Sequence, residues 1–362
     1  MSKKFAFVAF FPVLPNSSGS SEVSYAFFKY WPNKSKKFFF ISHLKRINNK
    51  NIQTVNIPKE IIFFKILSLI KISLKIFKYL KKSKEPFLVI EGPSWILYSY
   101  IVIKIIKFLL PKTKIIYHSH SIEYEIRKKF SNFLIAKITF ILEKIVLSLS
   151  DLKTSVSLFE QNKFKKHYGV NTVLVPNGVD TANYNEIKKN KNSSKYIIYS
   201  GSYSYKPNKV AIDLLLRKIM PGILMKNPYI KLILTGGGFN REFNKKWLID
   251  YGQIKKTKMI NLLNNSALTI IPLKFGSGTR IKILEALCLG IPIITTSIGA
   301  QGILEKNKNF IIENDLNKFS FLANKIIKSK RPKEFHKIRF YLKKYSMSSI
   351  TKSFYNKHII SL

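Results

Sequence analysis

Residues 275–302 read FGSGTRIKILEALCLGIPIITTSIGAQG, and the rest of the chain is interpreted outward from them. Gly276 and Gly278 flank Ser277, and a backbone without Cβ atoms can approach a ligand closely and turn its N–H groups toward it. The loop follows an apolar run, residues 267–273, and precedes a helical pattern, so it is expected at a strand-to-helix junction. Phosphate-bearing ligands bind at such junctions in α/β folds. Thr279, Arg280 and Lys282 are expected in the first helical turn, where a hydroxyl, a guanidinium fork and an ammonium join the free amides in favouring a diphosphate. Glu285 lies deeper in the same helix and suits sugar hydroxyls better than phosphate. A plainer alternative makes the glycines a flexible connector and Glu285 a surface acid.

A chain of 362 residues is long for a single core and suits two domains. Lys and Arg number 63 against 19 Asp and Glu, a net charge of +44 that attracts nucleic acid, anionic membrane or anionic small molecules. The lysines are scattered and the hydrophobic share is 46%, which argues against a basic arm for nucleic acid. Abundant Lys, Ile and Asn also fit the background of an AT-rich genome. A single cysteine, Cys288, excludes an internal disulfide and is expected as a buried thiol on the apolar side of its helix. Residues 1–11 are short and run into Pro12 and Pro15, unlike a signal peptide, so a cytoplasmic location is expected.

Apolar runs at 4–11, 37–42, 87–91, 114–118 and 152–157 alternate with helical stretches at 22–30, 61–80, 94–110 and 132–148. Strict alternation predicts a doubly wound parallel sheet, with ligands at the carboxyl ends of its strands. The helix over 61–80 is the most membrane-like segment, yet lysines interrupt it throughout. Lys71, Lys75, Lys78 and Lys82 fall on one face, with Leu69, Ile72, Leu74, Ile76 and Leu80 around the others. Such a helix serves as a crossover of the sheet, and its basic face also suits an anionic membrane surface. After the strand at 114–118 comes His118-Ser119-His120-Ser121-Ile122-Glu123-Tyr124-Glu125. This segment is open to three readings: a metal site of two histidines and two acids, a histidine capping the next helix, or a cleft wall beside a substrate.

Beyond residue 195 the pattern repeats. Strands are expected at 196–201 and 231–234, a helix opens at Pro207, and Gly236-Gly237-Gly238 lead toward another helix. Residues 311 onward read as helical, as do 348–360. The run 188–195 is Lys, Asn and Ser and reads as a solvated linker.

Residues 276–286, with 290–294 and 299–302, resemble the donor-binding segment of family 4 glycosyltransferases of the GT-B fold. There a Gly-x-Gly-x-Arg-x-Lys-x-x-Glu-Ala helix precedes a Gly-x-Pro strand and a Gly-Ala-x-Gly turn. Pro176-Asn177-Gly178-Val179-Asp180 resembles the turn that closes the family's N-terminal domain. His120, Glu123, Tyr124 and, one place early, Arg127 are similar to its His-x-x-Glu-Tyr-x-x-x-Arg run. The likeness implies an α/β protein of two Rossmann-like, doubly wound domains facing a central cleft. An N-terminal acceptor domain would span 1–187, the linker 188–195 and a nucleotide-sugar domain 196–345, with 346–362 crossing back to the first domain.

It further implies retaining transfer from a nucleotide-diphosphate sugar to a glycan or glycolipid in cell-surface polysaccharide synthesis, with no cofactor and no metal. His120 and Glu285 would be catalytic. Gly19, Lys206, Gly276, Ser277, Gly278, Thr279, Arg280 and Lys282 would hold the diphosphate, and the Ile254 backbone would meet the base. Two positions depart from the pattern: Ser277 stands where many members carry a second glutamate, and Ser202 where they carry an arginine, leaving Lys206 as the nearest cation. The alternative is an inactive scaffold of the same fold that binds nucleotide or nucleic acid. The expected partners are the donor, the acceptor and an anionic membrane surface, with no specific nucleic acid and a location that is cytoplasmic or peripheral on the membrane.

Overall fold

A computed structural model describes residues 3–14, 18–32, 37–41, 51–57, 62–92, 96–184, 196–239, 245–276, 278–303, 305, 308–329 and 335–362. The chain divides into two compact units, Met1–Asn177 with Met347–Leu362, and Gly178–Ser346. The division falls at Asn177–Gly178, ahead of the boundary expected after residue 187, and the linker at 188–195 lies outside the described residues.

The first unit is built on seven parallel strands: β1 (Lys4–Ala9), β2 (Lys37–Ile41), β3 (Ile52–Val55), β4 (Pro86–Glu91), β5 (Lys114–His118), β6 (Leu152–Ser155) and β7 (Val173–Leu174). Their order in the sheet is β3-β2-β1-β4-β5-β6-β7, so the winding reverses between β1 and β4. Alternation along β1 sorts its side chains between two layers. Ala6 and Val8 join Leu69, Ile72 and Ile76 in the core beneath the helices Ile62–Leu80 and Ile96–Leu109. Phe5 and Phe7 face the other way, against Trp31 at ring distances of 5.0 and 5.2 Å. Trp31 also meets Tyr355 at 5.3 Å, which ties the last helical segment to this unit. A sheet covered on both faces explains why its inner strands read as unbroken apolar runs.

The second unit repeats the plan with β8 (Tyr196–Ser200), β9 (Lys231–Thr235), β10 (Leu248–Asp250), β11 (Leu268–Ile271), β12 (Ile293–Thr295) and β13 (Phe310–Ile312). The order is β10-β9-β8-β11-β12-β13, again reversing beside the first strand. At the two places where the chain enters and leaves this unit, the Val179 N–H donates to the Tyr345 carbonyl over 2.8 Å.

Several expectations are corrected. Residues 310–312 form an edge strand rather than a helix, and the helix begins only at Asn317. Gly236–Gly238 lead, past residues 240–244 outside the description, to strand β10 and not to a helix. The short strand near the expected base site is 248–250, so residues 251–254 form the turn after it. Strand β3 and the helix Leu158–Tyr168 were not expected. On the helix Ile62–Leu80, Leu74 faces solvent with Lys71, Lys75 and Lys78, while Leu69, Ile72, Ile76 and Leu80 are buried. Among the described residues, no helix is long and apolar enough to cross a membrane.

Candidate functional site

In the second unit the loops after β8, β9 and β11 gather at the carboxyl edge of the sheet, beside the reversal point. Gly236 brings two of them together: a Cβ there would lie 2.5 Å from the Gly201 carbonyl carbon, so only glycine allows the backbones to touch. The third loop carries Gly276 and Gly278, with Ser277 between them outside the described residues. Gly278 takes φ +75°, which turns its carbonyl to accept from Arg280 Nη1 over 2.7 Å. The helix behind runs Ile281–Cys288 with Arg280 as its N-cap, so Thr279 and Arg280 precede the first turn instead of lying within it. Thr279 Oγ1 is buried with no hydrogen-bond partner among the described residues.

Lys282 turns inward. Its Nζ sits 4.1 Å from the Tyr199 ring centroid and donates to Asn208 Oδ1 over 3.1 Å. The Tyr199 hydroxyl donates to the same oxygen over 2.8 Å, and Asn208 Nδ2 donates to the Ser202 carbonyl over 3.0 Å. A Cβ on Gly201 would lie 2.7 Å from the ammonium, so this cation lies directly beneath the loop. Burial first, and then the Arg280 charge, push Lys282 down to about 7, with Glu285 opposing. Lys206 is exposed at the start of the helix Lys206–Leu214, on the same edge.

Glu285 is buried and paired with Lys256 Nζ. Lys256 opens the helix Lys256–Asn264, two residues after Ile254, and thereby links the Ile254 turn to the helix carrying Glu285. Gly236 N–H donates to the Gly252 carbonyl over 2.7 Å, which holds that turn against the glycine loop. Cys288 is a buried free thiol whose pKa burial raises.

In the first unit, parallel register sets Glu91, the last residue of β4, beside His118, the last of β5. Glu91 Oε2 lies 3.0 Å from His118 Nδ1, 2.9 Å from His120 Nε2 and 2.8 Å from Ser24 Oγ, all buried. Burial alone would raise this carboxyl, but His118 and His120 outweigh it and hold Glu91 down to about 2. An ionised carboxylate only accepts, so both imidazole nitrogens facing it carry hydrogen. His118 stacks on Phe27 at 4.1 Å, and burial lowers the pKa of His120. Gly19 opens the helix Gly19–Lys29 that supplies Ser24; Ser18 caps that helix, its Oγ accepting from Ser21 N–H over 3.1 Å.

The two acids after the histidines lie elsewhere than a metal reading would need them. Glu123 is buried near Glu143, and Glu125 pairs with Lys163 and His167. Glu143, from the helix Phe133–Leu149, accepts from the N–H groups of Glu123 and Tyr124, each over 3.0 Å. That carboxylate, rather than a histidine, caps the helix Glu123–Phe130. Burial pushes Glu123 up to about 8 and Glu143 up to about 7. Among the described residues the one group spaced to hold an ion is Glu91, His118 and His120, with ligand atoms within 4.8 Å of one another. The site residues named from the sequence thus fall into two groups: Gly19 and His120 in the first unit, and the rest in the second. Sequence reading missed Glu91, Lys256, Asn208 and Tyr199.

Residues 194–329 match the family model described as glycosyl transferases group 1. No curated protein matches the chain. Among solved structures, the chain is similar to Anabaena Alr3699/HepE in complex with UDP and glucose. The TM-score is 0.70 at 13% identity, covering 99% of this chain and 100% of that one. It is also similar to a glycosyltransferase from Rickettsia africae ESF-5, with TM-score 0.64, 14% identity, and 97% and 96% of the two chains covered. An α,α-trehalose-phosphate synthase (UDP-forming) from Burkholderia xenovorans, in complex with glucose-6-phosphate, gives TM-score 0.68 at 8% identity over 98% and 99%. At these identities the likeness is one of fold. The chain has the GT-B glycosyltransferase fold, and its residues 194–329 match the glycosyl transferases group 1.

Proposed function

We propose that the protein is a retaining, metal-independent glycosyltransferase. It moves a sugar from a nucleotide-diphosphate sugar to a hydroxyl of a glycan or lipid-linked glycan in cell-surface polysaccharide synthesis. The observation that carries this reading is the pair of cations, Arg280 and Lys282, behind a glycine loop at the reversal point of the second sheet. It is supported by the group 1 match over that unit and by similar structures that hold UDP and UDP-glucose.

In this mechanism the glycine-loop amides and Arg280 face the diphosphate, with the Lys282 ammonium supporting them from beneath the loop, and stabilise the charge that grows on it as the glycosidic bond breaks. Thr279 Oγ1, with no hydrogen-bond partner among the described residues, supplies a further hydroxyl to the phosphate oxygens. Glu285 accepts from donor hydroxyls, and Ile254 meets the base through its backbone. His120 is the catalytic histidine of this reading, and its Nδ1, the ring nitrogen not engaged by Glu91, is the atom that would accept from a sugar hydroxyl. The basic face of the helix Ile62–Leu80 fits a peripheral position on an anionic, cytoplasmic membrane face.

A screen of nucleotide-sugars for thermal stabilisation tests the reading, because a ligand that binds the folded state raises its apparent stability by mass action. One nucleotide-sugar should raise the melting temperature and, with acceptor present, release nucleoside diphosphate. Stabilisation without transfer to any acceptor would favour the inactive scaffold.

A further inference from the structure

We propose that the first unit docks on an anionic lipid bilayer through an apolar rim at the carboxyl edge of its sheet, formed by the opening turns of the helices Ile62–Leu80 and Phe133–Leu149. This rests on the lipid-linked acceptor reading above and names the surface that would meet such an acceptor.

Topology fixes the edge. All strands of the sheet are parallel, so each crossover helix starts at the carboxyl edge and returns to the opposite one. The helix Ile62–Leu80 joins β3 to β4, and Phe133–Leu149 joins the β5 side to β6. Their first turns therefore lie on the edge where His120 follows β5. Both helices pack against the helix Ile96–Leu109 between them, so they belong to one layer.

Those turns expose large apolar side chains. Phe133 is 81% exposed, Phe63 64% and Leu134 63%, with Phe64 and Ile138 also exposed. The helix Phe133–Leu149 already buries Ala136, Thr139, Val146 and Leu147 toward the unit, so its exposed residues form a second apolar face. Asn132 fixes the first turn by accepting from the Ile135 N–H over 2.9 Å, which holds Phe133 and Leu134 outward.

Charge selects the occupant. Residues 61–83 hold six lysines and no acid, and 126–142 hold no acid either. Lys128, Lys129 and Lys137 are exposed beside the apolar turn of the helix Phe133–Leu149, Lys71 and Lys75 are exposed farther along the helix Ile62–Leu80, and Glu143 is buried in its capping role. Exposed aromatic and aliphatic side chains ringed by lysines suit the headgroup and acyl boundary of an anionic leaflet. A second copy of the chain would set lysines against lysines, and a nucleic-acid backbone would leave Phe63, Phe133 and Leu134 in water.

The test is flotation of the full chain with vesicles of phosphatidylcholine, alone or mixed with phosphatidylglycerol, at low and high salt. UDP-glucose binding and thermal melting are followed in the same samples without lipid. The wild type should float with the anionic vesicles at low salt. Phe133→Ser with Leu134→Ser should weaken that partition about tenfold or more, with melting and UDP-glucose binding unchanged. Lys128→Glu with Lys137→Glu, both exposed, should weaken it too and serves if the first variant does not fold. Wild-type partition in either folded variant overturns the rim, as does a wild type that ignores anionic vesicles or forms a dimer instead. Vesicle binding without nucleotide-sugar binding would count against the transferase reading and leave the rim standing.

Discussion

Glu91 Oε2 lies 2.9 Å from His120 Nε2, and this contact sets which nitrogen of the imidazole carries hydrogen. With Glu91 ionised, Nε2 must donate, so neutral His120 presents the Nδ1 lone pair as an acceptor. Imidazole nitrogen NMR at neutral pH should find His120 protonated at Nε2 and bare at Nδ1. Glu91→Gln should lower kcat/KM about 10- to 100-fold, the loss of one hydrogen bond to a charged group at about 1.5–3 kcal/mol, and should mix the tautomers. An unchanged tautomer and rate in Glu91→Gln would contradict this positioning role.

The same cluster bears on metal dependence. Glu91 Oε2 already receives three donors, so an ion there would have to displace Ser24 or a histidine, while Oε1 is buried with no hydrogen-bond partner among the described residues. Extensive chelation should leave transfer unchanged, whereas His120→Ala should reduce it in a folded protein. Activity lost to chelator and restored by a divalent ion would contradict the account and make Glu91, His118 and His120 the ligands.

Lys282 gives donor binding a pH dependence. Held down to about 7, it is charged below that pH and neutral above it. A diphosphate favours the charged form, so binding above pH 7 takes up a proton, and affinity should fall by up to about tenfold per pH unit there. A nucleotide-diphosphate sugar has no phosphate that titrates in this range, so the slope reports on the protein. Calorimetry at pH 8 in buffers of different ionisation heat should show the uptake, and Lys282→Met should abolish it. A flat profile from pH 6 to 8.5 would contradict the assignment.

Glu285 and Lys256 test a different contact. Their pairing means that donor hydroxyls must share the carboxylate with an ammonium. Glu285→Gln should weaken nucleotide-sugar binding, while pyrophosphate binding stays the same or improves as the negative charge goes. Equal losses for both ligands would place Glu285 on the phosphate instead.

The parts legible in the sequence are those written locally. The glycine loop, Arg280 and Glu285 lie on one loop and the helix behind it, and the parallel α/β plan follows from apolar runs alternating with helical stretches. Glu91 was illegible because 27 residues separate it from His118, and only the β4–β5 register brings them together. Asn208 reaches Lys282 across 74 positions in the same way. The misplaced helix start at Arg280 reflects an N-cap without the usual Ser, Thr, Asp or Asn. Residues 311 and 312 are read as helix because so short an apolar run has no period of its own, and pairing with β12 decides the strand Phe310–Ile312.

The central claim is that the loop at 275–282 holds the donor diphosphate. Arg280→Ala removes a charge-assisted contact that should be worth about 1.5–3 kcal/mol, and Arg280→Lys, which keeps the charge without the fork, separates that loss from the loss of the bond to the Gly278 carbonyl. Calorimetric titration with the nucleotide-sugar found in the screen measures it most directly. The account predicts about 10- to 100-fold weaker binding in a variant that melts like the wild type. Wild-type affinity in that variant would contradict it.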